Sequence, residues 1–523
     1  MDMIDTIRKN KKAFKVFVAV LFVGLFLIGL SNTKDYGRPI DEQMEQKILL
    51  MNAKEYASIL GIPAQNPVYT GIKRISESIE MDHGIAGYYL FLPIVANTGR
   101  DTLTTTYAWH YYTYCLWFLG VIALYLTLKE LCTSSWTPPF VTLIYFFSPR
   151  IFAESHYNNK DIILLTCVLI LFLFVVRMSI YGRTRDMIFF AIISGFLMNC
   201  KIIGIAVWGL TVIFLAGDSV LGSRRGKWTD IFLAAIFSII MYFLLTPAMW
   251  RFPIGYIQYC LTNAASFSRW GKTFLFHGVT IKPSVTGVPR TYLLEWIWMT
   301  TPVYVTVLFL TSVAVAGRVV KNGKSENMKF YILFLLTFLL PVLYSIICAP
   351  SLILYNGWRH NYYLYAPMIL CCAYAVDKLM LTEKPWIRSA AGMVIAAALL
   401  FTVADMTVNR SYEYLYFNLM ARSTVDVEGF EGDYWNVAEM QTVQALDEFL
   451  DAETTVAFNG YAADGQLKNV QIGNVSVVGE NQDPEYVIIN TSMPFDENLT
   501  AELEQVFEVR KYGRSVAAVY KTR

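Results

Sequence analysis

Apolar runs long enough to cross a bilayer, roughly 20 residues each, recur between Ala13 and Ala404, and short clusters of basic residues separate them. A chain in hydrocarbon must satisfy its backbone polar groups internally, so runs of this length can only be helices. With 55% hydrophobic and 16% charged residues and a mean hydropathy of +0.42, 523 residues are too apolar for a water-soluble protein. The pattern predicts an all-α polytopic membrane domain of about eleven transmembrane helices.

Lys and Arg stay on the cytoplasmic side during insertion and so orient the runs. Arg8, Lys9, Lys11 and Lys12 precede the first run, 14–30, and no small-residue cleavage site follows it. This start therefore reads as an uncleaved first span with the N-terminus inside. Later inside markers are Lys129, then Arg177, Arg183 and Arg185, then Arg224, Arg225 and Lys227, then Arg318, Lys321 and Lys324, then Lys378, Lys384 and Arg388. Spans consistent with them are 14–30, 108–128, 137–147, 162–180, 187–199, 202–216, 231–245, 302–316, 330–347, 362–379 and 387–404. The pair flanking Lys201 reads equally as one long or broken helix. An odd count leaves the tail after Asp405 outside, on the outer face of the plasma membrane.

The outer set is then 31–107, 148–161, 250–295, 348–361 and the tail, and all five histidines (His83, His110, His156, His277 and His360) fall in or beside it. In the long first outer loop, amphipathic stretches at 42–60 and 86–94 predict interfacial helices. Asp41-Glu42 follows the helix breakers Gly37 and Pro39. A partly desolvated carboxylate there suits proton abstraction, while capping of the next helix is the plainer reading. In the second loop, Arg150 and Lys160 offer positive charge at headgroup depth for a phosphate, or simple snorkelling, and Asp161 can cap the next span or orient a neighbour. Arg359, in the fourth loop, lies at or just inside the apolar slab, where a guanidinium needs an anionic partner: Asp41, Glu42, Asp161 or a lipid phosphate. The third loop carries Arg251, Arg269, Lys272, His277, Lys282 and Arg290 against the single acid Glu295, which fits an anionic ligand or bilayer headgroups equally.

The net charge of +2 says nothing about nucleic acid, and no basic stripe interleaved with aromatics suggests it as a partner. The eight cysteines sit mostly in or near spans, which argues against a disulfide framework, and no Cys/His spacing suggests a zinc site.

Several segments together resemble the GT-C superfamily of integral membrane glycosyltransferases, in particular the bacterial family 39-like proteins similar to protein O-mannosyltransferases and aminoarabinose transferases. They are Asp41-Glu42, Ser148-Pro149-Arg150-Ile151-Phe152, His156-Tyr157-Asn158-Asn159-Lys160-Asp161 and Thr246-Pro247-Ala248-Met249-Trp250, then Tyr355-Asn356-Gly357-Trp358-Arg359-His360, Tyr414-Leu415-Tyr416-Phe417-Asn418 and Asp433-Tyr434-Trp435. Asn159 stands where that pattern would have proline, and Arg38-Pro39-Ile40 where small or aromatic residues would precede the acids.

The resemblance implies inverting transfer of a hexosyl or pentosyl group from a polyprenyl-phosphate donor to a protein, polysaccharide or glycolipid acceptor on the outer face. It implies Asp41 as base, with Glu42 positioning it or a donor hydroxyl. Arg150, His156, Asn158, Lys160, Asp161, Arg269, Arg359 and His360 are then the donor and lipid-phosphate residues. A monophosphate leaving group needs less neutralisation than a diphosphate, so fixed cations can replace a metal. No cofactor is expected, although Asp41, Glu42 and Asp161 would suit a divalent ion if the fold gathered them. The competing reading is a transporter or lipid flippase, which calls for charges near the midplane and paired interrupted helices in two halves.

Residues 1–405 thus read as the catalytic membrane domain and 406–523 as a small extracytoplasmic α/β domain. The tail is expected to hold a helix over 436–450, strands near 455–458, 470–478, 486–490 and 515–520, and a hairpin through Gly513.

Overall fold

The computed structural model describes residues 11–63, 67–97, 101–221, 228–265, 271–321, 327–450, 452–459, 467 and 470–522. All eleven expected spans are helical. They are α1 (Lys11–Asn32), then, after an interfacial α2 (Glu42–Ile59), α3 (Thr102–Leu131), α4 (Thr137–Phe146), α5 (Asp161–Tyr181), α6 (Thr184–Cys200), α7 (Ile203–Leu221) and α8 (Trp228–Leu245). The set continues, after a short α9 (Tyr292–Thr300), with α10 (Val303–Lys321), α11 (Met328–Cys348), α12 (Tyr365–Met380) and α13 (Pro385–Val408). Among the described residues seven helices are long and apolar enough to cross a membrane alone, and α9 with α10 form an eighth candidate bent by 118°. At 10, 17 and 16 residues, α4, α6 and α12 are shorter, and α12 spans only ~24 Å at 1.5 Å per residue. The two helices flanking Lys201 are separate, each with its own axis of hydrogen bonds.

Exposed apolar side chains identify the lipid-facing helices. Only 11% of the apolar window of α8 is buried, and Phe232, Ile213 and Leu400 stand 65%, 70% and 68% exposed, which no aqueous surface would tolerate over such lengths. By contrast α5 is 78% buried and packs on α3, α6, α7 and α12, so it is the axis of the bundle. Gly182, in the left-handed conformation (φ +56°), closes its far end.

The helix ends sort the loops into two sets. At one end Arg177 pairs with Glu130 and Asp186, Lys329 with Asp218, and Asp377 accepts from Thr133 N–H, Ser134 N–H and the Thr137 hydroxyl. These are the loops that carry the basic markers. At the other end the first, second, third and fourth expected outer loops meet one another and the tail. A concavity lined by Met178, Arg183, Asp218, Ser219 and Asp230 opens at the marker end. Ser179, on its wall, lies ~27 Å along α5 from Asp161 by helical rise, so the concavity is remote from the outer loops.

The tail begins as a strap, 409–437, laid against the outer loops. It continues into α14 (Ala438–Leu450), which packs on a six-stranded mixed sheet. After the loop hairpin β1 (Phe274–Phe276) and β2 (Val279–Ile281), the sheet strands are β3 (Thr454–Asn459), β4 (Gln471–Ile472), β5 (Val475–Val477), β6 (Tyr486–Ile489), β7 (Glu504–Lys511) and β8 (Arg514–Lys521). Their order is β4-β5-β3-β6-β8-β7, with β3 parallel to both neighbours. The run at 470–478, read as one strand, is two, because Gly473 turns the chain at φ +57°. Gly513 (φ +80°) closes the β7–β8 hairpin as expected. The division drawn at 405 falls inside the last turn of α13.

If the two sets of loops lie on opposite faces, single cysteines replacing the exposed Lys73 and Glu504 react with a membrane-impermeant thiol reagent from one side of sealed vesicles, and one replacing Glu383 from the other. Labelling of Glu383→Cys from the same side as the other two contradicts the arrangement.

Candidate active site

Helix α2 carries three buried acids, Glu42, Glu45 and Glu55. Buried carboxylates require partners, and each finds a cation on another segment. Glu45 pairs with Lys160 and accepts from the Asn159 amide at 3.2 Å, which gives the residue standing in place of proline a role. Glu55 takes Arg251 Nε at 2.5 Å. Glu42 accepts from the Thr106 hydroxyl at 2.7 Å, Gln46 at 3.0 Å and Arg38 Nε at 3.2 Å, and lies 2.9 Å from His110 Nε2. Burial opposes the charge of Glu42, but His110, Arg38 and Thr106 outweigh it and hold the carboxyl below its ordinary value. Its two oxygens are fully engaged in the interior, so the geometry makes it a structural anchor of α2.

Asp41 differs. It occupies the N-cap position of α2 without a side-chain capping bond, and its carboxylate, 40% exposed, faces Arg359 Nη1 at 3.7 Å. Capping alone therefore does not account for it. Arg359 is buried beneath Trp435, with its guanidinium carbon 4.1 Å from that ring centroid and 5.6 and 5.7 Å from Tyr434 and Tyr355. Lys160 is held charged despite burial by Glu45 and Asp41. Asp161 opens α5: its N–H donates to Asn158 Oδ1 at 2.9 Å, and its carboxylate takes the Lys201 ammonium, which in turn lies 3.1 Å from His360 Nδ1. Asp41, Lys160, Asp161, Arg359 and His360 thus form one cluster at the end of α5 that begins with Asp161. Arg359 Nε and His360 Nε2 have no protein partner among the described residues.

Other expected site residues sit behind this cluster. Arg150 donates from Nε to the Tyr416 carbonyl at 3.0 Å and lies between the rings of Trp296 and Phe417, so its planar cation braces the strap. His156 is sandwiched between Tyr36 and Tyr114, with centroids at 4.6 and 5.0 Å, and Nδ1 is 3.2 Å from the Thr33 hydroxyl. Burial lowers its pKa well below the ordinary histidine value, which leaves a neutral ring with a packing role. Asn158 bridges Asp161 to the buried Glu154 through its amide, at 3.2 and 2.7 Å. Arg269 lies outside the described residues.

Sequence reading missed Glu45, Lys201 and Glu154. Lys201 was legible as a lone cation in the two-residue gap between apolar helices, at the same end as the outer loops. Glu45 was hidden because a Glu in a first helical turn is ordinary. Glu154 accepts from Tyr362 at 2.6 Å and Tyr434 at 3.3 Å, and burial raises its pKa. No set of three or more His, Cys, Asp or Glu side chains among the described residues is placed to hold a metal ion. The carboxylates of Asp41, Glu42 and Asp161 each turn to a different cation.

No family model matches the chain, and no curated protein sequence matches it. Among solved structures it is similar to ArnT from Cupriavidus metallidurans bound to undecaprenyl phosphate, with 13% identity and a TM-score of 0.47 over 96% of this chain and 97% of that one. The same protein in the apo state gives 12% and 0.49 over 97% and 98%. The mycobacterial arabinofuranosyltransferase AftD gives 12% and 0.44 over 97% of this chain and 41% of that one.

Two outcomes are expected. Glu42→Ala strands Arg38 without its carboxylate in the interior and costs roughly 3–5 kcal/mol, read as lost thermal stability of the solubilised protein; unchanged stability contradicts the anchor role. Burial raises both Glu413 and Glu431 to about 7 from 4.5, so the stability they contribute is complete below about 4.5 and is lost as pH rises through about 7. Glu413→Gln should flatten that fall in melting temperature.

Proposed function

We propose that the chain transfers a sugar, with inversion, from a polyprenyl-phosphate donor to an acceptor hydroxyl on the outer face of the membrane. The observation that carries this reading is the pairing of a half-exposed carboxylate, Asp41, with a buried guanidinium, Arg359, beside Lys160, Lys201 and His360. The resemblance of seven ordered segments to the GT-C superfamily points the same way, and six of them supply this cluster or its braces.

The chemistry follows from charge. Asp41 takes the acceptor proton as the hydroxyl oxygen attacks the anomeric carbon, and the bond from that carbon to the phosphate oxygen breaks. The phosphate passes from one negative charge to two, so cations already in place act mainly on the transition state. Three cations face three carboxylates in the cluster, and the 3.7 Å contact of Arg359 with Asp41 is the loosest of these pairs. An arriving phosphate would draw Arg359 to itself and leave Asp41 to the acceptor. With cations in this role no essential metal is needed, and transfer should persist under chelation. The outer-face assignment rests on the Lys and Arg bias of the opposite loops. A transporter would need charge pairs near the midplane, whereas the described pairs sit at helix ends.

Purified protein incubated with a panel of polyprenyl-phosphate sugars should release free polyprenyl phosphate. Asp41→Asn should lower turnover by about 10²–10⁴-fold with insertion unchanged. Arg359→Ala should lower it by about 10²–10³-fold. Near-normal turnover in Asp41→Asn removes the base role.

A further inference from the structure

The strap ahead of the sheet domain and the helix after it touch Arg359 on one side and the chain immediately ahead of Asp41 on the other. On the Asp41 side, Ile40 N–H donates to the Trp435 carbonyl at 2.8 Å. Gly37 lies so close to the Val437 carbonyl that a Cβ would come within 2.1 Å of its oxygen. Gln441 donates to the Asp35 carbonyl at 2.9 Å. On the Arg359 side, the buried Glu431 carboxylate accepts the Gly357 N–H and lies 3.4 Å from the Tyr292 hydroxyl, which itself donates to the Gly357 carbonyl at 3.2 Å. Asn356 and Gly357 both adopt left-handed backbone (φ +56° and +65°), a turn that delivers Arg359 two residues later. The strap's Tyr434 and Trp435 then cover the guanidinium.

The strap is fixed in turn by the sheet. Arg514, the first residue of β8 and 2% exposed, donates to the carbonyls of Phe430 at 2.8 Å, Ser492 at 3.1 Å and Glu431 at 3.4 Å. A single guanidinium, with its several donors in one plane, ties the strap to the sheet on either side of Glu431.

We propose that Glu431 and Arg514 are positioning residues that set Arg359 against Asp41, so that the sheet domain is a working part of the site. Nothing in the sequence marks Arg514, which stands in an ordinary hairpin strand. This inference rests on the functional reading above for its consequence in turnover, although not for the geometry it asserts. Misplacement of a reacting group by about 1 Å can cost about 10²-fold in rate.

The test uses the full-length protein in lipid nanodiscs with Glu431→Gln, Arg514→Lys, Arg514→Ala and, as a control on the exposed edge strand, Glu504→Gln. The first readout is the rate of phenylglyoxal modification of Arg359, followed by mass spectrometry, which needs no donor. Glu431→Gln and Arg514→Ala should accelerate it, Arg514→Lys less so, and Glu504→Gln not at all. The second readout is sugar transfer in a double-mutant cycle: Glu431→Gln should lower kcat by about 10–100-fold in the parent and add almost nothing in an Arg359→Ala background. Unchanged modification of Arg359 overturns the inference, and so does an equal loss of kcat in both backgrounds, which would mark a merely structural role. Accelerated modification in a protein whose parent form transfers no sugar from any lipid-phosphate donor supports the clamp and overturns the functional reading instead.

Discussion

Buried charge must be paired, and in this molecule the pairs are made between segments far apart in the chain. Each buried acid of α2 reaches a different element: Glu42 the start of α3, Glu45 the loop before α5, and Glu55 the chain after α8. An unpaired member of such a set would cost several kcal/mol, so the interfacial helix can settle in one orientation only. That orientation brings Asp41, at its first turn, to the Asp161 end of α5, where the neighbouring loops gather Lys160, Lys201, Arg359 and His360. The site is thus a by-product of how the first outer loop is anchored.

Division of labour within the adjacent pair Asp41-Glu42 illustrates the same constraint. Side chains of neighbouring residues at a helix start diverge, so one faces the interior and the other the opening. The inward carboxylate acquires four partners and is fixed. The outward one faces Arg359 at 3.7 Å and the charge of Lys160, and it remains 40% exposed. The same carboxylate chemistry becomes an interior anchor in one residue and a solvent-accessible group in the other through burial alone.

Helical spans were legible because their length and apolarity are dictated by the bilayer, and the loops' common end was legible because cationic residues mark the opposite one. Asp41, Lys160, Asp161, Arg359 and His360 were recognisable as polar residues where apolar ones would be cheaper. His156 and Arg150 gave the same signal for another reason: aromatic rings and a backbone carbonyl can satisfy a buried imidazole or guanidinium as well as a ligand can. Composition does not distinguish these cases, since both demand a polar residue in an apolar setting. Glu45 and the strap contacts were not legible at all. A Glu in a first helical turn is ordinary, and the strap contacts depend on backbone groups, such as Ile40 N–H and the carbonyls of Phe430 and Ser492, which every sequence possesses.

The placement of the strap also has a temporal side. Ribosomal synthesis delivers the helices first, and residues 430–441, which contact the chain ahead of Asp41 and the turn that carries Arg359, emerge only after the last apolar helix. A nascent chain that ends at α13 thus owns Asp41, Lys160, Asp161, Lys201, Arg359 and His360 without the strap contacts that pack against the loops carrying them.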